Sequence, residues 1–211
     1  VVSFSVGVDC LINTRAISDG KGVDQIMYAV FNEDGSELVV SKVTVNDAAS
    51  MIERNPTNGG YVDITLPKGH TYKVVFWAQN SECDAYTVSD DMKVTVDYEG
   101  LNNDETRDAF FAATMPFKLD HHLSKEVVLK RPFAQINIAT LVPTAAQIGY
   151  DVTPTSSLVK VKNIPVKYNV FTGEPVGAAA EVEYTVNLIP KGNLTVNTTE
   201  YKKVAMNYAL V

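Results

Sequence analysis

Three histidines, two cysteines and a few close-set carboxylates are the side chains here whose types could do chemistry. His70 sits in a Lys68-Gly69-His70 turn, and His121-His122 follow Asp120 in a connecting stretch. Adjacent histidines on a strand point to opposite faces and do not readily share a metal, so solvated polar side chains describe them better. Cys10 and Cys83 could pair in an oxidising compartment, but two isolated thiols make no framework. Cys10 falls on the apolar parity of a strand pattern and reads as a small buried side chain, whereas Cys83 reads as a loop thiol in Asn80-Ser81-Glu82-Cys83-Asp84. Asn32-Glu33-Asp34-Gly35-Ser36-Glu37 has a faint calcium-loop look without the ligand spacing such a loop needs, and a hairpin turn accounts for it. Asp90-Asp91 and the pair Glu181/Glu183 read as solvated carboxylates, with nothing to separate their pKa values. Trp77, the sole tryptophan, could offer a flat platform to a sugar, but inside an apolar strand it is far more often a core residue. No nucleophile elbow, glycine-rich phosphate loop or His-Glu-x-x-His occurs. The expectation is a protein that is not an enzyme and that holds no cofactor and no metal.

What remains is chemistry done to the chain. Val2, Phe4, Val6, Val8, Cys10 and Ile12 share one parity, and Ser3, Ser5, Gly7 and Asp9 the other. A strand turns successive side chains to opposite faces, so this is one apolar and one polar face. Asn13-Thr14-Arg15-Ala16 follows, then the polar, glycine-containing Ser18-Asp19-Gly20-Lys21-Gly22. An apolar strand tethered through a basic residue and a flexible segment could be cut off and replaced.

The elements around this segment are read as strands. Gln25–Phe31 and Glu37–Val45 flank an Asp34-Gly35 hairpin signal. Gly60–Leu66, Thr71–Gln79, Asp91–Tyr98, Ser124–Leu129 and Phe133–Thr140 follow. Thr71–Gln79 has one fully apolar face and one half-apolar face, as a central strand does. Helical turns are expected at Asp47–Arg54, within Asp104–Ala113 and at Thr144–Gly149. Ser157–Ile164, Pro165–Phe171, Glu181–Pro190 and Tyr201–Val211 complete the strands, and the last stops while still apolar, so residues beyond it are expected. Lys130-Arg131-Pro132 marks the expected division into domains of residues 1–129 and 130–211. Many short strands and few helices predict an all-β chain of sandwich type.

Composition agrees. The 211 residues are 45% hydrophobic and 20% charged, which suits a folded protein with a substantial core. A net charge of −7 and scattered lysines and arginines disfavour a nucleic-acid partner. No apolar run approaches the roughly 20 residues of a transmembrane helix.

Several segments resemble one family. Gly22–Phe31, Val75-Phe76-Trp77-Ala78-Gln79, Asp108-Ala109-Phe110-Phe111-Ala112 and Val128-Leu129-Lys130-Arg131-Pro132-Phe133-Ala134-Gln135-Ile136-Asn137 look like the fimbrillin-like (type V pilin) surface proteins of Bacteroidales. Pro165–Glu174 and Ala205-Met206-Asn207-Tyr208 are similar to that family's second domain. The resemblance implies two tandem transthyretin-like β-sandwich domains with a few short helices. It implies a lipoprotein precursor exported to the outer surface and the fimbria, from whose N-terminal domain an arginine-specific protease removes the first strand. A strand from another pilin subunit then fills the vacated groove, which builds a pilus that supports cell adhesion. Carried onto this sequence, the cleaved bond is Arg15–Ala16, since Arg54 and Arg107 fall in predicted helices and Arg131 precedes Pro132. Val2, Phe4, Val6, Val8, Cys10 and Ile12 become the groove-filling face, each worth about 1.5–3 kcal/mol when fully buried. Two alternatives stand beside it: a non-polymerising surface lipoprotein that binds a glycan, with Trp77 as its platform, and a pilus tip or anchor subunit that keeps its first strand. A host or bacterial surface ligand would fit either.

Overall fold

The structure, a computed structural model, describes residues 1–8, 22–46, 61–100, 103–141, 154–184, 189–190 and 192–211. In chain order the strands of these residues are β1 (Val2–Val8), β2 (Gln25–Asn32), β3 (Leu38–Val45), β4 (Tyr61–Ile64), β5 (Thr71–Gln79), β6 (Tyr86–Val88), β7 (Lys93–Val96) and β8 (Phe110–Ala113). They continue with β9 (Phe117–Lys118), β10 (Leu123–Leu129), β11 (Phe133–Thr140), β12 (Val159–Asn169), β13 (Glu174–Tyr184), β14 (Asn193–Val196) and β15 (Thr199–Leu210). The described residues are nearly all β, arranged in several sheets.

One sheet organises the rest. Its order is β3-β2-β5-β8, with β9 also paired to β5. β2 and β5 are buried on both faces, which is why their sequences lack a polar parity. On one face Ile26, Tyr28, Val30, Val74 and Phe76 meet β1, β4 and β10 in a first core. On the other, Met27, Ala29, Phe31, Val75 and Trp77 meet β6, β7, β12 and β15 in a second. A further sheet, β13-β12-β7-β6, hydrogen-bonds Lys93–Thr95 to Lys167–Asn169, so strands from both sides of the expected 129/130 division share one ladder. Of the other two sheets, β10-β1-β4 covers the first core, and β11-β15-β14 closes the second with Phe133, Met206, Tyr208 and Leu210.

The helical expectation over Asp104–Ala113 is corrected. Only Glu105–Arg107 forms a 3-10 turn, whose cap Asp104 accepts from the Thr106 amide. The chain then extends as β8, because Phe110 and Phe111 pair with Ala78 and Trp77 of β5. Sheet packing overrides the local helical pattern there. Ser157–Ile164 and Pro165–Phe171 are also one strand, β12, which carries Asn163 at a positive φ of 57° and shifts register twice. The helical turns expected at Asp47–Arg54 and Thr144–Gly149 lie outside the described residues.

Buried tyrosine hydroxyls tie the second core together. Tyr98 donates to the Pro165 carbonyl at 3.0 Å and accepts from the Leu210 amide, and Tyr184 donates to the Tyr208 carbonyl at 3.0 Å. Burial raises the pKa of Tyr98 and Tyr168, and pushes Tyr184 up to about 12. A raised native pKa means that the neutral hydroxyl is favoured in the fold. That stability is complete below the ordinary value of 10.0 and is lost as pH rises towards about 12. The expected result is a urea midpoint that is flat from pH 8 to 9.5 and falls steeply above about pH 10, read by circular dichroism. A midpoint unchanged at pH 11.5 contradicts this account.

Candidate functional site

β1 is a central strand. It runs parallel to β10, with Val2 opposite Leu123 and Val6 opposite Val127, and antiparallel to β4, with Val2 opposite Ile64 and Phe4 opposite Val62. Both partners lie far from it in sequence, and its pairing with β10 is the only parallel one among the described strands. The inward face is sealed: Val2 and Phe4 are 0% exposed and Val6 is 1% exposed. The Phe4 ring meets Phe76 edge-on at 5.3 Å and Phe117 at 6.0 Å, an arrangement aromatic pairs favour. Lys125 of β10 in turn sits over the Phe117 ring at 4.8 Å. Without β1, the facing edges of β4 and β10 and an apolar trough floored by Phe76 would lie open.

The outward face is different. Ser3 lies opposite Asp63 on β4 and Ser124 on β10, and Ser5 opposite Glu126 on β10. Asp63, Ser124 and Glu126 are exposed, whereas Ser5 is only 7% exposed.

The sequence-predicted groove residues Val2, Phe4 and Val6 are thus brought together on one buried face. The side chain of Val8, and Cys10, Ile12, Arg15 and Ala16 entirely, lie outside the described residues. Residues ahead of β2 are held by hydrogen bonds: Asn80 donates through Nδ2 to the Gly22 carbonyl at 2.7 Å. Ser81 donates to both carboxylate oxygens of Asp24, through its amide at 2.7 Å and its hydroxyl at 2.9 Å.

Trp77 is 0% exposed and donates from its indole to the Gln79 amide oxygen at 2.8 Å. The sugar-platform reading is corrected accordingly: its ring is packed against Tyr86, Phe133 and Tyr168 in the second core, so no face is open to a ligand. Cys83 is a free, buried thiol whose pKa burial raises. His70, His121 and His122 are exposed, and no group of three metal-binding side chains converges among the described residues. The Asn32–Glu37 turn satisfies its own polar groups, with Ser36 donating to Asp34 at 2.9 Å and Glu37 to Asn32 at 3.2 Å. Glu181 and Glu183 pair with Lys162 and Lys160 at 3.2 and 2.6 Å. Among the described residues no helix is long and apolar enough to cross a membrane.

Sequence reasoning missed one pair that frames the groove. Arg131, read as punctuation before Pro132, forks onto Asp108 through Nε at 2.7 Å and a terminal nitrogen at 2.8 Å. It also lies over the Phe110 ring at 4.7 Å. Beside it, Phe111 and Lys130 exchange two backbone hydrogen bonds of 2.8 Å, tying β8 to the end of β10, which is one wall of the groove. The only sequence signal was an Asp and an Arg next to aromatic residues.

The fold has known counterparts. A Bacteroides thetaiotaomicron protein described as a candidate polysaccharide-binding protein (DUF1812) superposes with a TM-score of 0.61 at 12% identity, over 98% of this chain and 70% of that one. The fimbrial anchor protein Mfa2 of Porphyromonas gingivalis gives 0.56 at 13% identity, over 99% and 73%. A candidate adhesin of Bacteroides ovatus gives 0.54 at 12% identity, over 99% and 66%. At these identities the likeness is one of fold. No curated protein matches the sequence. One family does, over residues 1–211, and the chain belongs to it: the family of unknown function DUF6562.

Proposed function

We propose that this protein is a non-catalytic fimbrial or adhesin-like subunit of the bacterial surface, and that β1 is a removable plug. A strand from another pilin subunit takes its place after an arginine-specific protease cuts between Arg15 and Ala16. In this reading the chain is exported as an outer-membrane lipoprotein precursor and works in adhesion. Its two cores correspond to two transthyretin-like sandwiches joined through a shared sheet. The observation that carries the reading is the position of β1 as a central strand between two edges distant in sequence. Taking it out leaves two rows of unpaired backbone groups and an apolar trough, which an extended segment of another chain restores. The fold shared with a fimbrial anchor protein supports it.

The test is cleavage of the purified protein by an arginine-specific protease, followed by mass spectrometry and electrophoresis without boiling. Loss of about fifteen residues and growth of detergent-resistant oligomers is the expected result, given the burial of the plug, and Arg15→Ala should abolish both. Cleavage that leaves a stable monomer sinks the exchange reading. It would favour the second one, an anchor or tip subunit that keeps β1, for which the likeness to Mfa2 is the supporting observation. A glycan-binding role, suggested by the polysaccharide-binding description of another fold counterpart, would have to use a site other than Trp77. An open cleft of about 600 Å³ between the Asn32–Glu37 turn and the Pro67–Tyr72 segment is one such site.

A further inference from the structure

We propose that the strand replacing β1 is selected by charge on its outward face: it carries a lysine or arginine at the register position of Ser3, opposite Asp63. The inference rests on the exchange reading above and names the chemistry of the incoming partner. Inward, the trough asks for what β1 supplies, large apolar side chains with an aromatic ring at the position of Phe4, between Phe76 and Phe117. That requirement does not distinguish one amphipathic strand from another. The outward face does.

The two walls of the groove present carboxylates to solvent, Asp63 from β4 and Glu126 from β10. Neither forms an ion pair among the described residues, whose exposed ion pairs lie elsewhere, at Asp91, Asp120, Glu181 and Glu183. Between them the resident strand offers only serine hydroxyls, so the acidic rim is left uncompensated. Side chains directly opposite in an antiparallel pair have Cβ atoms about 4.5–5.5 Å apart, and long side chains also reach diagonal neighbours at about 7–8 Å. A cation at position 3 therefore faces Asp63 directly and reaches towards Glu126, two residues beyond its β10 partner Ser124. The position of Ser5 is closed to the same substitution, because Ser5 is 7% exposed and leaves little room for a long side chain. The consequence is a direction for exchange: an incoming strand with a cation at this position is held more tightly than the strand it displaces. In a chain with a net charge of −7, a basic segment is also drawn in from a distance.

The test starts with the intact chain, where no cleavage is needed. Ser3→Lys and Ser3→Glu are compared, each alone and with Asp63→Asn, by the hydrogen-exchange protection of β1 amides. Ser3→Lys should raise protection, and Ser3→Glu lower it, by about two- to fivefold each. The gap should close in the Asp63→Asn background and shrink in about 1 M salt, where the screening length falls to about 3 Å. Equal protection in the two variants, or a gap indifferent to Asp63→Asn, overturns charge selection. A second arm adds synthetic Val-Lys-Phe-Ser-Val-Gly-Val or Val-Glu-Phe-Ser-Val-Gly-Val to protein cut after Arg15, with the lysine peptide expected to bind several-fold more tightly. Equal binding of both overturns the selectivity and leaves exchange standing. Binding of neither overturns exchange, while the intact-chain comparison still decides whether the rim discriminates charge.

Discussion

Phe4→Ala should lower stability by about 3–5 kcal/mol, the largest single-residue loss expected in the first core. Phe4 is 0% exposed, and its ring is held between Phe76 and Phe117, residues of different strands whose backbones are fixed by the central sheet. The vacated space cannot collapse without moving β5, which is buried on its other face as well, so the cavity term adds to the lost transfer energy. The effect should be confined to one side. Trp77 sits on the opposite face of β5 with no exposure, so native Phe4→Ala protein should keep the blue-shifted emission of a buried indole while its urea midpoint drops. Protease access at Arg15 should rise together with opening of β1. A loss under about 1 kcal/mol would mean that the trough closes over the missing ring and is not a preformed slot; a red-shifted native emission would mean that the two cores do not respond separately.

Asp108→Ala is the second large effect, expected at about 3 kcal/mol, because it takes the forked carboxylate from a guanidinium held in a mostly dehydrated site. The Asp108 side chain is 5% exposed and that of Arg131 21%, which places the cost near the lower end for buried pairs. Replacing both together by leucine and methionine should recover most of the loss, since neither charge is then left alone. Arg131→Lys should not, because an ammonium cannot reproduce the two-pronged contact or the stacking on Phe110. Chemical denaturation of the four proteins checks this. If Asp108→Ala costs less than about 1 kcal/mol, the pair is ornamental and not the tie between β8 and the groove wall.

The first strand was legible in the sequence because its information is local. Alternation at Val2, Phe4 and Val6 places one face inward whatever the partner strands are, and the structure buries all three. The same holds for the hairpin at Asn32–Glu37, where Gly35 takes a positive φ of 78°, and for β5, whose one fully apolar and one half-apolar face pointed to a central strand. What could not be read was partnership. Nothing in Leu123–Leu129 says that it pairs in parallel with residues some 120 positions earlier, and nothing in Lys93–Val96 says that it joins Lys167–Asn169. Pairing is set by the fit of whole faces, not by any residue's own preference. For the same reason Phe110-Phe111-Ala112-Ala113 misled: its local pattern suited a helical turn, and only the vacant edge of β5 made it a strand. The acidic rim was hidden likewise, since Asp63 and Glu126 are unremarkable surface carboxylates until register brings them to either side of Ser3 and Ser5.

The flanking of β1 on both sides also has a mechanical meaning. A tug along its axis strains the ladders to β4 and β10 at the same moment, so the bonds share the load as a lap joint does, instead of parting one after another like a zipper. Lifetime under such a pull is governed by the rate of crossing the rupture barrier and not by equilibrium affinity. On the exchange reading, a neighbouring subunit's strand in this position would load β4 and β10 together, and from the end of β10 the Lys130–Phe111 bridge would carry part of that tension to β8 of the central sheet.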